Sequence, residues 1–270
     1  MKTLIFTKSG GSFMKSIVMA GAVVLLGLGA TGAALADNAV ELVSGNDIIY
    51  FDGTTSTLTC SISGVTAGAC ATLGVGTPTS TPAFGGGVTD AITASNFNGW
   101  NVTDSGTSYA PSCNVSGTCE DQNNLSGQGG TAALQAYFAT SGFTTNPALG
   151  FMASGTSPDT GTVTATAYAY QPSGTLGLSG TSAPVGLGTP FSTLLLPGGE
   201  GLLSGTGTAP GNPYNLATAF SVPAGTTGSE VNLTETITTS VPESSSVSVL
   251  LAMLLGIAFV VRRGIAFNRM

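Results

Sequence analysis

From Ser16 to Val261 the chain carries no lysine, arginine or histidine, so almost everything it folds is built without a cationic side chain. The six basic residues, Lys2, Lys8, Lys15, Arg262, Arg263 and Arg269, all lie in the two terminal segments. All 13 acidic residues fall between Asp37 and Glu243. No side-chain ion pair can form within that middle stretch. Its stability must come from apolar burial, backbone hydrogen bonds and disulfides.

The same absence removes whole classes of function. Nucleic-acid binding neutralises phosphates with lysine and arginine, so no nucleic acid is expected as a partner. Arginine clamps on phosphate or carboxylate are excluded as well. Without histidine, neither a Ser-His-Asp nor a Cys-His arrangement can be assembled. Only 7% of the residues are charged, against about 25% in an ordinary soluble domain. Long apolar runs occur only at the ends, so the low charge does not signal a membrane bundle. The middle is dominated by Thr, Ser, Gly and Ala. An acidic surface favours solubility, attracts cations and repels other anionic surfaces.

The N-terminal segment, residues 1–36, reads as a secretory signal peptide. Lys8 and Lys15 form a basic region, Ile17 to Ala30 an apolar stretch, and Ala34-Leu35-Ala36 a small-x-small cleavage site. Met14-Lys15 would by itself supply a compact basic start. Cleavage after Ala36 leaves Asp37 as the mature N-terminus. The C-terminal segment, 241–270, has three parts in order: Val241-Pro242-Glu243-Ser244, an apolar run from Val247 to Val261, and a basic end opened by Arg262 and Arg263. The run is short against the about 20 residues of a usual span. Flanking serines and snorkelling arginines can extend it. Arginines on the cytoplasmic side place the middle outside the cytoplasm.

This order of motif, apolar helix and basic cluster resembles the PEP-CTERM sorting signal of Gram-negative bacteria. The family's usual motif is Val-Pro-Glu-Pro, and Ser244 stands where its second proline would be. The resemblance covers Val241 to Met270, with a weaker likeness through the Thr-rich body. It implies insertion in the inner membrane, handling by an exosortase-like processing enzyme, and an exopolysaccharide or biofilm setting at the cell surface. A plain membrane anchor is the alternative. A GPI signal would not end in a basic cluster.

Between the ends, residues 37–240 suffice for one β-sandwich domain. Period-2 patterns recur. Val163, Ala165, Ala167 and Ala169 alternate with Thr and Tyr from Gly161 to Tyr170. Tyr214, Leu216, Phe220 and Val222 share a face, and Val231, Leu233 and Ile237 oppose Asn232, Thr234, Thr236 and Thr238. Leu134 to Thr140 and Asp47 to Phe51 are further strand candidates. Leu73 to Thr89 and Gln171 to Asn212 read as long Gly/Ser/Thr/Pro loops. The expected fold is a secreted all-β antiparallel sandwich.

Four cysteines, Cys60, Cys70, Cys113 and Cys119, suggest disulfides in an exported chain. Local pairing, Cys60 with Cys70 and Cys113 with Cys119, closes two short loops, though three connectivities are formally open. A zinc site without histidine is disfavoured, and neither a metal nor another cofactor is expected. No pair among Asp90, Asp104, Glu120, Asp121, Asp159, Glu200, Glu230 and Glu235 has a spacing that implicates it in hydrolysis. Glu235 falls in phase with an apolar strand face, which would raise its pKa. Asp159-Thr160-Gly161 matches the aspartic-protease tripeptide once, where two aspartates are needed, and reads better as a turn. Glu120 to Asn124 offers clustered oxygens of the kind calcium uses on loops, without EF-hand spacing. Asn101, Asn114, Asn124 and Asn232 open Asn-x-Ser/Thr sequons. Trp100 is either a core anchor or a stacking platform for sugar. The expectation is a non-enzymatic structural or adhesive surface protein, with no catalytic residues. The alternatives are a module binding extracellular polysaccharide through Trp100 and the tyrosines, and a carboxylate-dependent hydrolase.

Overall fold

The computed structural model describes residues 37–83, 87–109, 118–144, 148–156, 161–171, 176–180, 184, 186–197, 201–211, 213–225 and 230–240. The signal segment, the sorting motif with its apolar run and arginines, Cys113, Asn114 and Asp159 lie outside them. Among the described residues, no helix is long and apolar enough to cross a membrane.

Among the described residues, fourteen strands form two seven-stranded antiparallel sheets. The first sheet runs β11 (Ser192–Leu196), β10 (Val163–Tyr170), β13 (Tyr214–Val222), β8 (Leu134–Phe143), β1 (Asn38–Ser44), β2 (Asp47–Asp52) and β3 (Thr57–Ile62). The second runs β12 (Gly201–Thr208), β9 (Ala148–Thr156), β14 (Glu230–Ser240), β7 (Thr118–Gln128), β6 (Trp100–Ser108), β5 (Val88–Phe97) and β4 (Thr79–Pro82). Stacking joins β11 to β12, β13 to β14, β8 to β7, β1 to β6 and β2 to β5, so the sheets lie face to face in matching order.

Alternation explains the packing. In β14, Val231, Leu233, Glu235 and Ile237 are buried while the residues between them face outward. In β6, Trp100, Val102, Asp104, Gly106 and Ser108 point inward. Facing them are Val40, Leu42, Phe138, Leu216 and Phe220 of the first sheet, all within one core. Burying each such side chain stabilises by about 1.5–3 kcal/mol. The tight turn Asn98-Gly99, with φ of 51° and 83°, joins β5 to β6 and matches the positive-φ hairpin that Asn-Gly favours. Every residue of β1 is buried, because both of its faces are covered. Its second face, with Ala39, Ala139 and Ala217, lies beneath Leu178 and Leu187 of the chain after β10.

The strands expected at 47–51, 134–140, 163–170, 214–222 and 231–238 are present. The two stretches read as loops need correction. Leu73 to Thr89 contains β4 and the start of β5, and Gln171 to Asn212 contains β11 and β12. Cys60 and Cys70 are joined, as local pairing implied, tying β3 to the short helix α1 (Ala69–Thr72).

Candidate functional site

The outward face of the second sheet carries a polar trough. Alternation sends Asn101 and Thr103 of β6, Ser126 and Gln128 of β7, and Glu230 and Asn232 of β14 to solvent. The register sets these side by side, with Asn101 opposite Gln128 and Asn232 opposite Ser126. They line a hollow of about 510 Å³. A second hollow of about 220 Å³ shares Thr103, Ser126 and Asn232 and continues toward Asn124 and Thr234.

The chain following α1 forms the rim. Val75 bridges to Ala94, and Gly76 N donates to Thr93 O at 3.0 Å. Gly74 sits at φ 61°, and a Cβ there would strike the Ser95 hydroxyl. Glycine therefore lets Ser95 lie against this loop, where its hydroxyl donates to Gly74 O at 3.2 Å.

Within the trough the hydrogen-bonding groups are amides and hydroxyls. Gln128 Nε2 donates to Glu230 Oε1 at 3.2 Å, and Thr234 Oγ1 donates to Asn124 Oδ1 at 3.0 Å. Among the described residues, Glu230 is the single ionisable residue of the lining, and no aromatic ring takes part in it. Such a surface offers fixed neutral donors and acceptors and suits a ligand rich in hydroxyls.

The other candidate residues fall elsewhere. Trp100 is fully buried and donates Nε1–H to Ala132 O at 2.8 Å. It anchors the core, and the sugar-stacking reading of it is withdrawn. Tyr50, Tyr137 and Tyr168 pack against the cluster beneath Leu178 and Leu187, not in the trough. Glu120 to Asn124 is not a calcium loop. It belongs to β7, with Asp121 and Asn123 turned into the core.

Five carboxyls, Glu41, Asp90, Asp104, Asp121 and Glu235, are wholly shielded from solvent. Burial pushes Glu41 up to about 7 and Asp90 up to about 6. Burial likewise holds Asp104, Asp121 and Glu235 well above the ordinary carboxylate range. The rise expected for Glu235 is present, and β14 is an interior strand between β9 and β7. Among the described residues, no three His, Cys, Asp or Glu side chains are grouped to hold a metal ion. None of the five lines the trough, where Glu230 stands without the second carboxylate that glycoside hydrolysis uses.

Three of the four sequon asparagines, Asn101, Asn124 and Asn232, gather on this face. Sequence reading marked each singly and missed Ser126 and Gln128. The available signal was their alternation with Leu125 and Gly127 along one strand.

No family model matches the chain, and no curated protein matches it. Solved structures similar to it include the K1 cleaved adhesin domain of Lys-gingipain from Porphyromonas gingivalis W83, at 14% identity. That match covers 62% of this chain and 100% of the other, with a TM-score of 0.33. The K3 cleaved adhesin domain of the same protein is similar over 44% of this chain and 74% of its own, at 14% identity and TM-score 0.30. The module TmCBM61, solved in complex with β-1,4-galactotriose, is similar over 51% of this chain and 86% of its own. Its identity is 9% and its TM-score 0.25.

Proposed function

We propose that this chain is an exported surface protein whose second sheet binds neutral polysaccharide along its outward trough. The observation that carries the reading is the trough's lining: exposed Asn, Gln, Ser and Thr side chains, with one carboxylate and no cation. Neutral polyols can satisfy such groups without a charge partner. Anionic polymers would meet a stretch that holds acidic residues and no cationic side chain, and be repelled. Residues 241–270, resembling a PEP-CTERM signal, deliver the domain through the inner membrane and an exosortase-like enzyme. At the surface it acts structurally or adhesively within an exopolysaccharide matrix.

Electrophoresis of the purified protein through gels containing neutral or anionic polysaccharide tests the reading. Retardation by at least one neutral glucan or galactan is expected, with none by alginate. Unchanged mobility in every neutral polymer tried would remove the binding role.

A further inference from the structure

Sheet packing brings one hydroxyl and one carboxyl from opposite sheets into direct contact inside the core. Thr140 of β8 donates Oγ1–H to Asp121 Oδ1 of β7 at 2.9 Å, and neither residue is exposed. Asp121 Oδ2 has no hydrogen-bond partner. With no lysine, arginine or histidine between Ser16 and Val261, no cationic side chain offsets the burial of this carboxyl. The carboxyl is therefore neutral, the form whose carbon a hydroxyl can attack.

A second neutral acid lies beside this pair. Ile237 of β14 stands directly opposite Asp121, and Glu235 lies two residues before it on the same inward face. Diagonal neighbours of this kind are within reach of long side chains. Glu235 Oε1 accepts the Thr166 N–H at 3.1 Å, which fixes the carboxyl across the sheet gap.

We propose that Thr140 and Asp121 condense to an intramolecular ester that joins the two sheets covalently. Thr140 Oγ1 attacks Asp121 Cγ and forms the new C–O bond. The hydroxyl proton passes to Glu235, and the proton that Glu235 already held passes to the departing Asp121 hydroxyl. The Cγ–OH bond breaks, one water leaves, and Glu235 ends in its starting state. Nothing is oxidised or reduced. In bulk water hydrolysis would prevail. Groups fixed in contact instead reach effective molarities of about 10⁵–10⁸ M, and the dry core removes the competing water.

The bond supplies what this fold lacks. Cys60–Cys70 closes a loop only at the β3 edge, and no ion pair can form in the middle of the chain. An ester from β7 to β8 would clamp the centre of the sandwich.

Intact mass of the purified protein after full disulfide reduction is the test. The expected mass is lower by one water than the sequence between the protein's observed termini requires, and alkaline hydrolysis of the unfolded chain restores it. Thr140→Val should carry the full mass. Refolded Glu235→Gln should lose water roughly 100-fold more slowly, the usual scale of general acid–base assistance. A reduced wild-type mass equal to that of the sequence between those termini overturns the proposal. So does a water loss that persists in Thr140→Val.

Discussion

Gly180 donates its backbone N–H to Glu41 Oε2 at 3.1 Å, across 139 positions of sequence. Ser179 donates to the same oxygen at 2.9 Å. Together these bonds hold the chain after β10 against the first sheet, where Leu178 and Leu187 cover Ala39, Ala139 and Ala217. Tyr170 adds a bond from its hydroxyl to Leu176 O at 2.6 Å. Residues 176–180 and Leu187 are thereby held against the first sheet by one carboxyl and two leucines.

Glu41 also sets a pH dependence. Its folded pKa of about 7 lies above the ordinary 4.5, so the native state holds the extra proton between those values. Stability therefore falls as pH rises through that window, by roughly 3 kcal/mol from this residue. Asp90, raised to about 6, acts in the same direction from its ordinary 3.8 upward. The domain should be most resistant to urea near pH 4 and weaker at pH 8. Glu41→Gln keeps an acceptor for both amides and should flatten the slope between pH 4.5 and 7. A midpoint that rises from pH 4 to 8 would contradict this.

Gly130 offers a test of the core. A Cβ on Gly130 would overlap the Trp100 indole, which is itself fixed by its bond to Ala132. Gly130→Ala should cost about 1–3 kcal/mol by overpacking and lower the thermal midpoint by about 3–10 °C. Calorimetry reads the shift, and an unchanged midpoint would mean that Trp100 relaxes freely.

The strands legible in the sequence were those whose inward residues are apolar, such as Val163-x-Ala165-x-Ala167. Of the strands missed, β6 and β7 turn polar groups inward, whereas β9 was missed although its inward Leu149, Phe151 and Ala153 are apolar. Asp104, Gly106 and Ser108 in β6, and Asp121 and Asn123 in β7, break the apolar alternation on the buried face. Only pairing with neighbouring strands reveals their direction. Asn98-Gly99 was a readable hairpin signal between β5 and β6. The trough was not legible, because it is made by register between strands distant in sequence: Asn232 beside Ser126, and Asn101 beside Gln128. The disulfide Cys60–Cys70 is the local pairing favoured in the sequence, where three connectivities were formally open.

Delivery makes its own prediction. Removing residues 241–270 should move the protein from the cell envelope into the medium, measured by fractionation and immunoblotting. Replacing Ser244 by proline should leave surface retention intact or raise it. Unchanged retention after truncation would end the sorting reading.

Isothermal titration of a neutral polysaccharide oligomer into wild-type protein, and into the triple variant Asn101→Ala, Gln128→Ala and Asn232→Ala, reads whether the trough is the binding face. Each lost hydrogen bond is worth about 0.5–1.5 kcal/mol, so the variant should bind at least roughly ten-fold more weakly. Its thermal midpoint should stay near wild type, because all three side chains are exposed. Equal affinity in the two proteins would contradict the account and move the binding site off this face.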